Sequence, residues 1–337
     1  METREAKAIA ILDAFADSTG LVSAAPPRRY LWTDAFAVYT WLGLYLSRGE
    51  ARFLDLATRL IAQVHAVLGA HNVDAAHPTA RGLRIGKRLP ERSPSEPYDP
   101  QLEWDRDGQY YHYLTRWMHA LERAGRIAHD ERYRAWATEL AAAAHQHFVR
   151  PGGIYWKMSV DLSRPLVATQ GMHDPLDGLV VMATLGLASE ARELARLCAG
   201  REWATNDPLG AGGLLLDTLG LAKLVAEGRG DLQPLFARAI EDCAASLAAV
   251  AQDGFVGLRA ARRLAFRELG LALGLHAVAP LGECADVALL ERHVPLAAAL
   301  EEFWLQPANQ AGPTWTAHAD INAVTLAAAL APRGSLL

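Results

Sequence analysis

The sequence predicts an all-α fold, an (α/α)6 toroid of six helical hairpins in one domain over residues 1–337. Three observations predict it. Strand-type alternation is scarce, while alanine and leucine dominate and apolar residues recur at spacings of three and four. Twelve helical segments alternate between apolar nearly all round and amphipathic. The apolar members begin unevenly, near residues 33, 107, 174, 207, 263 and 318, which suits a closed double ring with elaborated loops better than a solenoid of fixed period.

Taken in order, the segments are expected near residues 3–17, 33–48, 50–69, 107–125, 129–148, 175–187, 189–200, 210–227, 231–251, 262–278, 284–305 and 318–332. AFAVYTWLGLYL (35–46) is apolar on every face and belongs in an inner ring. ARFLDLATRLIAQVHAVL (51–68) carries one stripe, Leu54, Ala57, Ile61, Val64 and Leu68, with Arg52, Asp55 and Arg59 off it, and belongs outside. The same contrast separates PLDGLVVMATLGLA from SEARELARLCA, and GAGGLLLDTLGLAKLV from LQPLFARAIEDCAASL. INAVTLAAAL closes the series as an inner helix. In the loop that follows residue 148, IYWKMSVDL alternates as a short strand would.

A net charge of −5 with 21% charged residues lacks the basic stripe of a general nucleic-acid binder. The cluster Arg81, Arg84, Lys87 and Arg88 reads as a solvated loop, with anion binding as the alternative. METREAKAIAILDAF has charges throughout, unlike a signal peptide, and no apolar run is expected to span a bilayer. Cys198, Cys243 and Cys284 lie far apart within helical patterns, so they are expected to be buried, reduced and structural. A cytoplasmic protein is expected, with no nucleic-acid or membrane partner, no cofactor and no metal. Its oligomeric state is left open.

The polar residues collect where the inner helices begin. If those helices run in parallel, their N-terminal ends surround one mouth. RRYLWTDAF brings Tyr30, Trp32 and Asp34 there. LEWDRDGQYYHY brings Trp104, Arg106, Asp107 and Tyr110, with Glu103 and Asp105 as lesser candidates. QGMHDPLDG adds His173, Asp174 and Asp177; WATNDPLGAGG adds Asp207; GPTWTAHADIN adds Trp315, His318 and Asp320. Trp156, Lys157 and Arg164 reach the same end on a long loop. Asp174-Pro175 and Asp207-Pro208 are also good helix starts, and Thr33 is a natural cap. Trp117 shares a face with Tyr110, Leu114 and Leu121 and belongs in the core. His65, His145, His147 and His276 are structural or exposed.

RYLWTDAF followed by an apolar inner helix resembles the six-hairpin glycosidase superfamily, and WTDAF resembles the tryptophan-x-aspartate segment of the unsaturated glucuronyl and rhamnogalacturonyl hydrolases. That resemblance implies a glycoside hydrolase with Asp34 and Asp107 as its catalytic carboxyls, and Asp174 and Asp177 in reserve. The chemistry fits, because glycoside cleavage needs one protonated and one ionised carboxyl. The partner expected is a small saccharide or another polar small molecule. For an acidic sugar, Arg28, Arg29, Lys157 or Arg164 would hold the carboxylate. A sugar epimerase of the N-acylglucosamine epimerase type is the alternative, with His173 or His318 moving a proton; a non-catalytic binding toroid is a third. The cysteine–histidine–glycine segment of the lanthionine cyclases is missing.

Overall fold

A computed structural model describes residues 3–337. The chain divides into two compact units, residues 16–197 and residues 3–15 with 198–337. The principal helices, in chain order, are α1 (Arg4–Ser18), α2 (Leu31–Arg48), α3 (Ala51–Leu68), α4 (Pro100–Asp105), α5 (Tyr111–Ala128), α6 (Glu131–Phe148), α7 (Asp174–Thr184), α8 (Ala188–Cys198), α9 (Pro208–Ala226), α10 (Gln233–Gln252) and α11 (Ala265–Leu275). Short helices α12 (Val278–Leu281) and α13 (Ala288–Glu291) lead to α14 (Pro295–Leu305), and α15 (Pro307–Gln310) and α16 (Pro313–Thr316) lead to α17 (Ala319–Leu330).

In the unit of residues 16–197, α2 buries an unbroken run from Thr33 to Leu44. It packs against α3 and α5, while α5 packs against α6 and α7. The amphipathic α3 buries Phe53, Leu56, Leu60, Ile61, Val64 and Leu68, at the spacing its sequence shows. Gly49 ends α2 in the left-handed conformation, φ 69°, and lets α3 begin two residues later. The helix starts at Leu31 rather than at Thr33. Thr33 is buried inside it, and the Asp34 carboxylate reaches back to accept the Tyr30 N–H at 2.9 Å.

Five short strands complete this unit. β1 (Gln109–Tyr110), β4 (Lys157–Met158) and β5 (Pro165–Val167) form an antiparallel sheet in the order β1-β4-β5; β2 (Val149–Arg150) and β3 (Gly153–Ile154) form a hairpin. The strand expected in IYWKMSVDL is therefore present as β4. It sets Lys157 opposite Tyr110. Trp117 is fully buried, and its indole N–H donates to His65 Nε2 at 3.1 Å.

In the other unit, α9 packs against α10 and α11, and α11 against α14 and α17. The α9–α11 contact is backbone on backbone. A Cβ at Gly212 would lie 2.1 Å from the Gly270 carbonyl oxygen, and one at Gly274 would lie 2.4 Å from that of Gly212. Arg4 of α1 pairs with the buried Glu301, which also meets His276 Nε2 at 2.8 Å, and donates to the Ala329 carbonyl at 3.1 Å.

Three expectations are corrected. The single helix expected over 284–305 is broken, because Pro295 lacks the amide a continuing helix needs and instead opens α14. Cys284 is exposed and outside any helix, although Cys198 and Cys243 are buried. The 19-residue α9 is long and apolar enough to cross a membrane; its apolar window is 56% buried inside the protein.

Candidate functional site

In the unit of residues 16–197, α5 and α7 pack against each other and bring polar groups together. His112, Thr115, Arg116 and His119 follow a helical spacing of three and four, so they share one face of α5. Opposite them stand the two aspartates of α7. Thr115 Oγ1 donates to Asp177 Oδ2 at 2.5 Å, Arg116 Nη2 lies 3.5 Å from the same oxygen, and His119 Nε2 lies 3.7 Å from Oδ1. Asp174 Oδ2 accepts the Gly171 N–H at 2.9 Å. It thus braces the turn before α7 instead of capping the amides after it.

These surroundings separate two chemically identical side chains. Burial pushes the Asp174 carboxyl up to about 7, aided by the charge of Asp177 and opposed by the Gly171 amide. Burial also acts on Asp177, but Arg116, His119 and Thr115 outweigh it and hold that carboxyl down at about 2. Near neutral pH, Asp174 can carry a proton while Asp177 is ionised. Burial lowers His112 to about 4, with Asp177 raising and Arg116 lowering it, so its imidazole is neutral there. His119 is lowered too, again chiefly by burial.

Aromatic rings continue outward from His112. It stacks on Tyr110 (5.4 Å between centroids, 26°) and on Trp156 (6.0 Å, 12°), and meets Trp32 edge-on at 5.9 Å. Trp32 also touches Tyr113, whose hydroxyl lies 2.6 Å from that of Tyr30. Burial raises the Tyr30 phenol to about 12 and pushes Tyr113 well above the usual value. The backbone fixes this arrangement, because Tyr111 N–H donates to the Trp156 carbonyl at 3.2 Å.

The other candidates are engaged differently. Asp107 accepts from Arg84 Nη1 at 3.1 Å, Gly86 N–H at 3.1 Å and Gly108 N–H at 3.0 Å, so it ties the 84–88 loop to the start of β1. Asp34 lies 3.4 Å from the buried Arg29, whose other nitrogen donates to the Thr19 carbonyl. Lys157, expected to reach a ligand carboxylate, is instead completely buried: its ammonium donates to Glu103 Oε1 at 2.8 Å and to the carbonyls of Glu103 and Arg106 at 2.7 and 2.8 Å. Arg106 forks onto Glu96, and Arg164 donates to the Arg92 carbonyl. His173 is the N-cap residue of α7.

In the other unit, Asp207 caps α9, accepting the Gly210 N–H at 3.0 Å, and its second oxygen takes Arg267 Nη1 at 2.5 Å. Beside Arg267, Phe266 meets the exposed His318 edge-on at 5.6 Å. Trp315 is buried and stacks on Trp304 at 5.7 Å, and Asp320 lies in the first turn of α17.

The residues missed by sequence reasoning are His112, Thr115, Arg116 and His119. Their signal was the polar stripe along α5, overshadowed by the aromatic and acidic residues before it.

No family model matches the chain, and no curated protein matches it. Solved structures do. The GH76 α-mannanase of Bacteroides thetaiotaomicron is 10% identical, with a TM-score of 0.62 over 99% of this chain and 96% of that one. A variant of the GH76A α-1,6-mannanase of Salegentibacter sp. HEL1_6, inactive through replacement of two consecutive aspartates and in complex with α-1,6-mannotetrose, is 12% identical; its TM-score is 0.60 over 98% and 100% of the two chains. The cellobiose 2-epimerase of Spirochaeta thermophila DSM 6192 is 14% identical, with a TM-score of 0.56 over 91% and 86%. The fold is the (α/α)6 toroid.

At 14% identity or less, these likenesses show the fold alone. They do not confirm the resemblance of WTDAF to the unsaturated glucuronyl and rhamnogalacturonyl hydrolases. The neighbours include both glycoside hydrolases and sugar epimerases. This toroid differs from the mannanase in one readable respect: its sequence contains no two consecutive aspartates.

Proposed function

We propose that this toroid is a carbohydrate-active enzyme, a glycoside hydrolase in which Asp174 donates the proton and Asp177 acts as the ionised partner. The observation that carries the reading is the opposed acidity of two carboxyls one helical turn apart, beside a wall of aromatic rings. A protonated Asp174 is suited to protonate the oxygen of a leaving sugar. An Asp177 ionised near neutral pH offsets positive charge developing on the ring that remains. Asp107 and Asp34 serve in this reading as anchors of loop and helix. Three of the four cations expected to hold a carboxylate, Arg29, Lys157 and Arg164, are taken up by protein groups. That favours a neutral saccharide.

The test is release of reducing ends from a panel of manno- and gluco-oligosaccharides. Asp174→Asn and Asp177→Asn should each lower kcat by about 10²–10⁴-fold. Unchanged turnover in both variants removes the pair from the mechanism.

Sugar epimerisation or isomerisation is the second reading, favoured by one observation. His112 is neutral at physiological pH, half-buried, and lies in the field of Asp177, as a base removing a proton next to a sugar carbonyl would. This chemistry incorporates solvent deuterium into the sugar and releases no new reducing end.

A further inference from the structure

We propose that Trp104 and Trp156 form a stacking platform for a second sugar ring, one place outward from the Asp174–Asp177 carboxyls, and that the buried Glu103–Lys157 ion pair holds this platform in shape. The inference rests on the saccharide reading above and names the substrate class as a neutral oligosaccharide rather than a monosaccharide.

Trp104 is 54% exposed. A lone exposed apolar side chain means little by itself, but this one is immobilised from beneath. It sits on α4, six residues long, too short to hold itself together. Its neighbour Glu103 is buried, with Lys157 on one oxygen and Arg92 Nε at 3.1 Å on the other. Lys157 uses all three ammonium protons on Glu103 and Arg106. Glu103 adjoins Trp104 and Lys157 adjoins Trp156, so closing the ion pair sets the two indoles together. They meet edge-to-face at 4.9 Å and 75°.

Trp156 carries the surface inward, since it lies nearly parallel to His112, which stands beside Asp177. The ring contacts therefore run from the exposed Trp104 through Trp156 to His112, which lies in the field of Asp177. A burial of this kind gives little net stability, because desolvating the two charges offsets their attraction. Its use here is geometric: a rigid aromatic face for the C–H side of a pyranose, ordered before the ligand arrives. The cations beneath the platform, Lys157 and Arg92, are bonded to protein oxygens.

Titrations of the Asp174→Asn protein with mannose, α-1,6-mannotriose, glucose and cellotriose test this, followed by calorimetry and tryptophan fluorescence. At least one trisaccharide should bind tenfold or more tightly than its monosaccharide. Trp104→Ala in the same background should abolish that difference and leave monosaccharide affinity unchanged. Glu103→Gln should weaken the trisaccharide and diminish the near-ultraviolet circular dichroism of the indole pair. Equal trisaccharide affinity with and without the Trp104 ring overturns the proposal, as does a trisaccharide that binds no better than its monosaccharide or not at all. If Asp174→Asn instead retains turnover, the acid assignment fails, and the Trp104 comparison in the unmodified chain still decides the platform.

Discussion

Asp174 and Asp177 stand one turn apart at the head of α7, yet Asp174 is pushed up to about 7 and Asp177 is held at about 2. Both are buried. The difference is the company each keeps: Asp177 faces Arg116, His119 and Thr115 of α5, and Asp174 faces one backbone amide.

The first prediction concerns activity against pH. Turnover should fall as pH rises through about 7, when Asp174 loses its proton. It should not fall between pH 5 and pH 4 on account of Asp177, which stays ionised down to about 2. A pH–kcat profile checks this, and in Asp174→Asn the alkaline limb should vanish with most of the rate.

The same group has a stability signature. Its folded-state value lies above the ordinary carboxylate value, so its contribution is fully present below about pH 4 and is lost as pH rises through about 7. The loss amounts to up to about 4 kcal/mol. Asparagine keeps an oxygen for the Gly171 N–H but cannot ionise. Urea denaturation should therefore show Asp174→Asn gaining on the wild type between pH 5 and pH 8. For Asp177 the sign reverses: its contribution is present above about pH 4 and is lost as pH falls through about 2.

Asp107 should behave as an anchor. Asp107→Asn breaks the Arg84 pairing and disturbs the bonds to Gly86 and Gly108. The expected cost is about 1–3 kcal/mol of stability, measured by denaturant midpoint, with the shape of the pH–kcat profile retained. A variant that keeps full stability and loses turnover would place Asp107 in the chemistry instead.

Lys157→Met leaves Glu103 charged and buried beside Arg92 alone. Breaking one side of a buried ion pair costs about 3–5 kcal/mol, so this variant should unfold at much lower urea concentration. Adding Glu103→Gln should recover part of the loss, and a double-mutant cycle measures the coupling.

At the α9–α11 contact, Gly212→Ala inserts a methyl group against the Gly270 carbonyl. The helices must separate, at a cost of about 1–3 kcal/mol or more. Thermal unfolding should register it, whereas Gly213→Ala, where a Cβ meets nothing within 4 Å, should be neutral or slightly stabilising.

Several features were legible in the sequence for local reasons. The apolar run of α2 and the stripe of α3 declare one helix buried all round and the next half-exposed, and hydrophobic periodicity needs no knowledge of neighbours. Asp207-Pro208 marked the start of α9, because a cap acts within four residues. The break at Pro295 was missed although proline announces it, since the flanking residues keep a helical rhythm. His112, Thr115, Arg116 and His119 could be placed on one face of α5, but not given a partner.

By itself, then, the sequence determined where most of the long helices lie and which of them are apolar on every face. Tertiary structure alone decided that Lys157 is sealed against Glu103, 54 residues away, and that Asp174 and Asp177 differ in acidity. The physical reason is range. Helix formation and capping depend on neighbours within a turn or two, whereas desolvation and ion pairing depend on whatever the fold carries to within a few ångströms.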